Sequence, residues 1–467
     1  MQDARNIDMR DARDIVVPEA REIDSTGHKP VATPLTDADL IGLGDRAFAG
    51  LRSLVLAVSG GPDSMALMLL AARWLPAAAP KPVVHVATVD HGLRPGSTDE
   101  AKWVAQQAAA MGFTHHVLTW EGDKPATGRQ AAAREARYGL LAGLIDHLSL
   151  PTPAAIAVAH HRDDQAETVL MRLARGSGLD GLAGMLPSRP LTAVDCHLVR
   201  PFLDVDKVIL LATLRARGIA WLDDPSNANT DFERVRLRQA MAAAQDLGLS
   251  NSAIATSARR LGRARAALEQ MTNELIARAV ETPAGAYARI DAAAFDAAPA
   301  ELRLRLIQRV IARFGGNTPP PRMTRLEELT ERLSVCASMT ATLGGCQLRR
   351  THGSILAFRE PGRRGLPEIE LQPGATATWD GRFRVSVGRE CPGAITVKAA
   401  SVALMPVKTL RKTHHISNLP RRAVLALPSF WYGGHLLAVS HLSVAPEYLA
   451  KSAGFSKTSL KVEFIPL

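Results

Sequence analysis

The sequence lacks the features of a secreted, membrane-spanning or metal-cluster protein. Its 467 residues include four cysteines, Cys196, Cys336, Cys346 and Cys391, which are far apart and form no CxxC pair. This spacing argues against a disulfide framework or a zinc site. No apolar run reaches the roughly 18 to 20 residues that a membrane helix needs, and the N-terminus shows no signal-peptide pattern. We therefore expect a cytoplasmic protein with no membrane partner.

Aromatic residues are also scarce, at 4% of the chain, which argues against a stacking platform for single-stranded nucleic acid. Positive charge is abundant, and its distribution is uneven. Residues 332–467 carry 18 Lys and Arg against 7 Asp and Glu, a net charge of +11, whereas the whole chain carries +10. This concentration predicts a module that docks a polyanion. A basic surface that serves only solubility is the alternative.

The length and the changes in composition predict several regions. Residues 1–35, in which ARNID, ARDIV and AREID recur every eight residues, are too polar to bury a core and are expected to form a disordered or frayed tail. Residues 36–245 form the predicted catalytic domain, and residues 246–325 a helical substrate-binding or linker domain. After PPPRM, residues 326–467 are expected to form a smaller, basic α+β region.

Strands and helices alternate through the predicted catalytic domain. The apolar runs LRSLVLAVS, PVVHVATVD, HHVLTW, AAIAVAHH and HLVRPF are each followed by a helical pattern. This alternation predicts an α/β fold with a doubly wound, mostly parallel, Rossmann-like sheet. Ligands of such sheets bind beyond the carboxyl ends of the strands. The polar segments SGGPDS, VDHGLRPGS, TWEGD and AHHRDD should therefore line one rim.

The first of these segments suits a phosphate or a pyrophosphate. It consists of Ser59, Gly60, Gly61, Pro62, Asp63 and Ser64. The glycines allow backbone N–H groups to approach a ligand, and the next helix directs its positive end to the same place. The segment lacks the lysine of a Walker A loop. Its aspartate would repel a phosphate unless it held a Mg²⁺ ion that bridges the phosphate oxygens.

The strand–SGGPDS–helix unit resembles the PP-loop of the N-type ATP pyrophosphatases, which cleave ATP between the α and β phosphates. The motifs VDHGLRPGSTDEAKWV, AAREARYGLL, AHHRDDQAETVLMRLARGSGLDGLAGM, RPFL and WLDDPSN follow in that order. Together they resemble the tRNA(Ile)-lysidine synthetase family, and TLGGCQLRRTHGSILAFRE resembles its longer members. One segment departs from the family, because Arg234-Val235-Arg236-Leu237-Arg238 lacks the asparagine of Arg-Asn-x-Ile-Arg.

The resemblance implies a ligase with ATP and Mg²⁺ as cofactors. ATP would adenylate the C2 oxygen of the wobble cytidine of an isoleucine tRNA with a CAU anticodon, releasing pyrophosphate. Free L-lysine would then displace AMP to form lysidine. The implied partners are this tRNA and lysine, and the sequence leaves the oligomeric state open, a homodimer included.

The same resemblance points to residues beyond the loop. Arg134 and Arg137 are three apart on a predicted helix and share a face, so either could contact the α-phosphate or the cytidine. Asp90, with the neighbouring His91, ends the second strand and is placed near the adenine or ribose.

AHHRDDQAET supplies candidates for the lysine step. His160, Asp164 and Glu167 have the spacing of one helix face. Asp164 and Glu167 would bind ammonium groups, and His160 or Asp164 would act as general base or orienter, because free lysine has a pKa of roughly 10.4. A divalent-metal site of a hydrolase and a helix cap by Asp163 or Asp164 are alternatives. The glycine-rich RGSGLDGLAGM that follows is either a flexible connector or a loop that closes over the site.

Paired basic residues near the C-terminus are candidates for tRNA phosphate contacts. They are Arg349 and Arg350, Arg363 and Arg364, Arg411 and Lys412, and Arg421 and Arg422. Three rival functions remain: a PP-loop tRNA thiolase, an amidating PP-loop enzyme with a small-molecule acceptor, and a non-catalytic tRNA-binding protein. A thiolase would need paired cysteines or an iron–sulfur cluster, which the cysteine spacing does not suit.

Overall fold

A computed structural model describes most of the chain. The described residues are 14–16, 32–90, 97–121, 129–191, 196–223, 237, 241, 248–316, 318–363, 365–400, 420–440, 442–443 and 460–464. The chain divides into two compact units, Met1–Arg265 and Ala266–Leu467. None of the described helices is long and apolar enough to cross a membrane.

The first unit contains the predicted alternation of strands and helices. Its elements are β1 (Asp14–Val16), α1 (Asp37–Phe48), β2 (Ser53–Ala57), α2 (Pro62–Trp74), β3 (Val83–Asp90), α3 (Ser97–Ala110), β4 (Thr114–Thr119), α4 (Arg129–His147), β5 (Ala154–Ala157), α5 (Arg162–Ala174), α6 (Leu179–Leu182), β6 (Ser188–Leu191), β7 (Cys196–Val199), α7 (Lys207–Ala216) and β8 (Trp221–Asp223).

Six of these strands form one sheet in the order β4-β3-β2-β5-β7-β6. Five run parallel, and β6 pairs antiparallel with β7 at the edge. The predicted doubly wound α/β fold is therefore confirmed. The edge strand β6 was not predicted, because its sequence SRPL contains a proline, which a sheet tolerates only where an N–H is not needed for pairing.

The central strand β2 is apolar from Leu54 to Ala57 because helices cover both faces of the sheet. Leu54, Val55 and Leu56 are all fully buried. Leu54 and Leu56 belong to a core that includes apolar residues of α1, α2 and α7. Val55 belongs to a second core that includes residues of α4. Burial on two faces explains the continuous apolar run, which is typical of parallel sheets.

Part of the predicted N-terminal tail is ordered. Asp14–Val16, within the ARDIV repeat, pairs antiparallel with Trp221–Asp223. The other residues of 1–31 lie outside the described residues. The pairing places a strand from the tail beside the first three residues of WLDDPSN.

The second unit is α+β, the class that was predicted for residues 326–467. Its helices are α8 (Asn251–Ala279), which begins in the first unit, α9 (Ala292–Asp296), α10 (Ala300–Phe314), α11 (Met323–Val335) and α12 (Arg421–Leu425). Its strands are β9 (Val280–Glu281), β10 (Tyr287–Asp291), β11 (Met339–Leu343), β12 (Cys346–Arg350), β13 (Ser354–Arg359), β14 (Ile369–Leu371), β15 (Thr376–Trp379), β16 (Phe383–Val387), β17 (Ile395–Ala399), β18 (Pro428–Tyr432), β19 (His435–Val439), β20 (Leu442–Ser443) and β21 (Leu460–Phe464).

The described strands of the second unit form three antiparallel sheets. Their orders are β11-β12-β13-β10-β9, β14-β17-β18-β19-β20 and β15-β16-β21. The helices α8 to α11 share one apolar core with the first of these sheets. The predicted boundary between 246–325 and 326–467 falls inside this core.

Candidate active site

The SGGPDS loop connects β2 to α2 through a turn that only glycine fits at position 60. Gly60 has φ +84°, in the left-handed region that other residues rarely adopt. A Cβ atom at Gly60 would lie 2.6 Å from Leu222 Cδ1, while the Leu222 N–H donates to the Gly60 carbonyl at 2.9 Å. Inside the loop, Ser64 Oγ donates to the Gly61 carbonyl at 2.8 Å and accepts from the Ser59 N–H at 3.2 Å. The conformation of the loop is therefore stabilised by Ser64 from within and by Leu222 of β8 from outside.

Three helices begin beside Asp63. Its own helix α2 starts at Pro62, α5 starts one residue after His161, and α7 starts at Lys207. Asp63 Oδ2 lies 3.5 Å from His161 Nε2 and 3.5 Å from Lys207 Nζ. Because the N-terminus of a helix carries partial positive charge and free N–H groups, this arrangement favours an anionic ligand. Neither His161 nor Lys207 was predicted as a site residue.

The charges around Asp63 keep it ionised. Burial alone would raise the pKa of Asp63, but the hydrogen bond and charge of His161 and the ammonium of Lys207 hold it below its ordinary value. For His161, burial acts to lower the pKa. The hydrogen bond to Asp63 and the charge of Asp164 outweigh this effect, so the pKa of His161 is raised. The carboxylate is therefore available as an anion at neutral pH.

The surroundings of Asp63 fit a magnesium ion. Its Oδ1 atom is buried and has no hydrogen-bond partner among the described residues. A Mg²⁺ ion is commonly held by one or two carboxylates and completes its shell with phosphate oxygens and waters. The described residues contain no group of three His, Cys, Asp or Glu that could hold a metal by itself. That finding gives no support to the hydrolase alternative, whereas one carboxylate suffices for a metal shared with phosphates.

The position of His160 corrects the prediction of one helical face. The helix α5 begins at Arg162, so His160 precedes it and does not share a face with Asp164 and Glu167. His160 Nδ1 instead accepts from Nε of the buried Arg200 at 3.3 Å. His161 is the histidine that lies one turn before Asp164, with Nε2 3.4 Å from Asp164 Oδ2. Of the two adjacent histidines, His161 is therefore the one that lies beside Asp164.

Asp164 has a structural role in addition to any catalytic one. Its Oδ2 atom accepts from the His161 N–H at 3.1 Å, which completes a capping box at the start of α5. The N-cap residue of α5 is His161, whose Nδ1 accepts from the Asp164 N–H, and Asp164 is the N3 residue of this capping box. Glu167 follows one turn later and is only 2% exposed.

The two predicted arginines lie on α4 among other arginines. Arg134 and Arg137 are both exposed. The guanidinium carbon of Arg134 lies 5.2 Å from the centre of the Tyr138 ring, and that of Arg189 lies 5.6 Å from the same ring. Burial and the positive charges of Arg189 and Arg134, opposed in part by Tyr138, lower the pKa of Arg200. The cluster is thus strongly cationic, and it includes Arg189 and Arg200, which the sequence did not single out.

The glycine-rich segment RGSGLDGLAGM after α5 is held in place by side-chain hydrogen bonds from α5. Gln165 is the main tie, because its Nε2 donates to the Met185 carbonyl at 2.9 Å and its Oε1 accepts from the Met185 N–H at 2.7 Å. Arg172 Nη1 donates to the Gly181 and Gly184 carbonyls at 2.9 and 3.0 Å. Within the segment, α6 forms a single helical turn.

Asp90 lies at the carboxyl end of β3, the neighbour of β2, so it is at the predicted rim. Its carbonyl accepts from the Trp120 N–H at 2.9 Å. His91 lies outside the described residues, as do all residues of the Arg234–Arg238 segment except Leu237.

The basic pairs of the second unit differ in exposure. Arg349, Arg421 and Arg422 are exposed, and Arg422 donates to the Gln347 side chain. The prediction that Arg350 contacts tRNA phosphates is corrected by the structure. Arg350 is only 6% exposed, and its guanidinium forms two hydrogen bonds to the Asp296 carboxylate. It is thus committed inside the protein and not presented to an RNA phosphate. Arg363 is exposed, while Arg364, Arg411 and Lys412 lie outside the described residues.

Comparisons with known proteins agree with this geometry. Residues 40–245 match the PP-loop domain family. The tRNA(Ile)-lysidine synthase of Rhodopseudomonas palustris is 44% identical over 67% of this chain and 92% of its own length. The tRNA(Ile)-lysidine synthase of Ruegeria pomeroyi is 37% identical over 86% of this chain and 91% of its own length.

The chain belongs to the tRNA(Ile)-lysidine synthase family. A solved structure, the U34-tRNA thiolase NcsA from Methanococcus maripaludis, also resembles it, with 14% identity, a TM-score of 0.41 and coverage of 48% of this chain and 79% of that one. The thiolase alternative is not favoured by the cysteines. All four are free, and Cys196, Cys346 and Cys391 are buried. Burial raises the pKa of the Cys346 thiol to about 12, so that thiol is a poor nucleophile.

Proposed function

We propose that this member of the lysidine synthase family joins free L-lysine to C2 of the wobble cytidine of an isoleucine tRNA with a CAU anticodon. Its family membership over most of the chain carries this proposal. The intact PP-loop, with Asp63 beside His161 and Lys207, supports it. ATP and Mg²⁺ are the cofactors, and the cytoplasm is the location that we assign to the reaction.

In the first step, the cytidine O2 attacks the α-phosphorus of ATP. The bond between that phosphorus and the oxygen bridging to the β-phosphate breaks, and pyrophosphate leaves. The backbone N–H groups of the PP-loop and the start of α2 would hold the departing phosphates. A Mg²⁺ ion held by Asp63 would neutralise charge on the phosphate oxygens. Arg134 and Arg137 would stabilise the negative charge near the α-phosphate or hold the cytidine.

In the second step, the ε-amine of lysine attacks C2, and AMP leaves with the former C2 oxygen. The amine must lose a proton, because its ordinary pKa of roughly 10.4 keeps it protonated at neutral pH. His160 and Asp164 are our candidates for accepting or orienting that proton. Asp164 and Glu167, one turn apart on α5, would bind ammonium groups of the substrate.

We assign tRNA docking to the basic C-terminal region. Arg349, Arg421 and Arg422 present exposed guanidinium groups there. Such groups supply salt-dependent phosphate contacts, while folded RNA is recognised mainly by its shape and by exposed loop bases. We retain residues 36–245 as the catalytic domain and a substrate-binding or linker role for residues 246–325, which are mostly helical but contribute β9 and β10 to the first sheet of the second unit.

One assay tests the proposal directly. Purified protein is incubated with ATP, Mg²⁺, labelled lysine and isoleucine tRNA that carries the CAU anticodon. We expect label to enter the RNA only when ATP is present, and a tRNA with a changed wobble base serves as the control. Incorporation of labelled sulfur instead, or no lysine transfer by correctly folded protein, would contradict the proposal.

A further inference from the structure

The PP-loop lacks a lysine, yet the structure brings one to it from a different element. Lys207 is the first residue of α7, and its Nζ lies 3.5 Å from Asp63 Oδ2. Among the described residues, Asp63 is the one carboxylate within ion-pair distance of this ammonium. The Lys207 side chain is 33% exposed, so it can reach a ligand that occupies the loop.

The start of α7 is held firmly against the start of α5. The Arg162 N–H donates to the Val205 carbonyl at 2.9 Å, and Arg162 Nη1 lies 2.6 Å from Asp206 Oδ2. Arg162 also donates to the Asp204 carbonyl. Because Arg162 directly follows His161, these bonds fix the backbone of Lys207 relative to both His161 and Asp63.

An ion pair alone gives little reason for this arrangement. Partly exposed ion pairs typically contribute about 0 to 1 kcal/mol to stability. Asp63 Oδ2 already faces His161, so Lys207 is a second cation-capable group at the same oxygen. When Asp63 turns to a metal–phosphate complex, the ammonium is released from its partner beside the phosphates. Its four-carbon stem has several rotatable bonds, so it can move to a phosphate oxygen without backbone movement.

We propose that Lys207 binds the β and γ phosphates of ATP and the pyrophosphate that leaves, supplying from α7 the ammonium that the PP-loop itself lacks. This inference rests on the proposed function for the bond that is cleaved. Before the nucleotide binds, Lys207 balances the charge of Asp63. After it binds, Lys207 neutralises the phosphates on the side of the leaving group.

The test measures ligand binding to the full chain and requires no turnover. Binding of pyrophosphate, ATP and AMP, each with Mg²⁺, is followed by calorimetry for the wild type, Lys207→Met and Lys207→Arg. We expect Lys207→Met to weaken pyrophosphate and ATP binding by about 10- to 100-fold, the range for one hydrogen bond to a charged group. AMP lacks the β and γ phosphates, so its affinity should stay within about twofold. Lys207→Arg should restore most of the pyrophosphate affinity.

Lys81→Met is the matched control. Lys81 is exposed and precedes β3, at the opposite end of the strands from the PP-loop, so its loss should leave all three affinities unchanged. An equal loss of AMP and pyrophosphate affinity in Lys207→Met would mean that Lys207 only supports the site, and unchanged pyrophosphate affinity would also overturn the inference. Since neither lysine nor tRNA is present, failure of lysine transfer would refute the proposed function and leave this measurement intact.

Discussion

The two carboxylate oxygens of Asp63 have different surroundings. Oδ2 faces His161 and Lys207, whereas Oδ1 is buried without a hydrogen-bond partner among the described residues. A buried carboxylate oxygen without a partner is costly unless a ligand completes it. This asymmetry supports our proposal that Oδ2 balances the charges of His161 and Lys207 and that Oδ1 binds the metal ion.

Replacement of Asp63 by asparagine tests that assignment, because it keeps the size of the side chain and removes its charge. We expect Asp63→Asn to reduce ATP-dependent pyrophosphate release by about 100- to 1000-fold, the usual effect of removing one preorganised electrostatic interaction. The thermal unfolding profile should remain cooperative. Asp99→Asn is the control, because Asp99 is a partly exposed residue of α3 that is paired with Lys102. Near-normal pyrophosphate release by Asp63→Asn would refute the metal-binding role.

Single residues show how far sequence reasoning reaches at the site. Asp63 is predicted as a metal ligand because an aspartate at a helix start conflicts with a phosphate unless a cation lies between them. Lys207 is not, because its segment DVDK carries no motif and the contact forms only when α7 packs beside α2. The proximity of His161 to Asp164 was not predicted, because the start of α5 decides which of the two histidines is near that carboxylate. Shifts of a helix start are common, since helix boundaries are uncertain by one or two residues even in known structures.

At the scale of elements, the glycine-rich segment RGSGLDGLAGM needs glycine for two reasons: a left-handed backbone conformation and close packing against a neighbouring side chain. Gly176 and Gly184 both have a positive φ, +69° and +68°. A Cβ atom at Gly176 would have nothing within 4 Å, whereas one at Gly184 would lie 2.7 Å from Gln165 Oε1. A comparison of substitutions at Gly176 and Gly184 therefore distinguishes backbone strain alone from strain combined with a clash against Gln165, whose side chain is hydrogen-bonded to Met185.

We predict different effects for the two alanine variants. Gly176→Ala should cost about 1–2 kcal/mol of unfolding free energy, the penalty of a left-handed conformation with a Cβ atom. Gly184→Ala should cost about 1–3 kcal/mol more, because displacement of Gln165 leaves buried polar groups unsatisfied. Urea unfolding of both variants measures the difference, and the lysine-transfer assay shows whether the segment serves the reaction. Equal unfolding costs would contradict the clash.

Strands were predictable where their own sequence pattern was enough to indicate a strand. The five parallel strands were predicted from runs rich in apolar residues and bounded by turns, and the signal is strongest for the central strands β2 and β5, which are buried on both faces. The strand β6 and the strand Asp14–Val16 were not predictable, because each depends on a partner strand that offers an open edge. The ordering of RGSGLDGLAGM likewise depends on Gln165 and Arg172, which a composition rich in glycine does not reveal.

At the scale of the whole molecule, the exposed basic residues of the second unit can be tested without disturbing its apolar core, but only by substitution and not by truncation. In the second unit, the core shared by α8 to α11 and the first sheet includes residues on both sides of Arg332, such as Leu306 and Leu348. A truncation before Arg332 would remove β11, β12 and β13 from that sheet and expose the core. Loss of tRNA binding by such a fragment would therefore not distinguish docking from unfolding. Substitutions on the exposed surface are the appropriate test.

The double variant Arg421→Ala and Arg422→Ala removes two exposed guanidinium groups that have no ion pair among the described residues. We expect weaker tRNA binding and a flatter dependence of log affinity on log salt, by about one unit for each phosphate that the variant no longer neutralises. Arg289→Ala with Arg325→Ala is the matched control, because it removes the same charge from exposed arginines already paired with Glu281 and Glu328. Filter binding across a salt series measures both. If the control variant binds tRNA as weakly as the test variant, net charge governs binding; if the test variant binds as tightly as the wild type, the docking surface lies elsewhere.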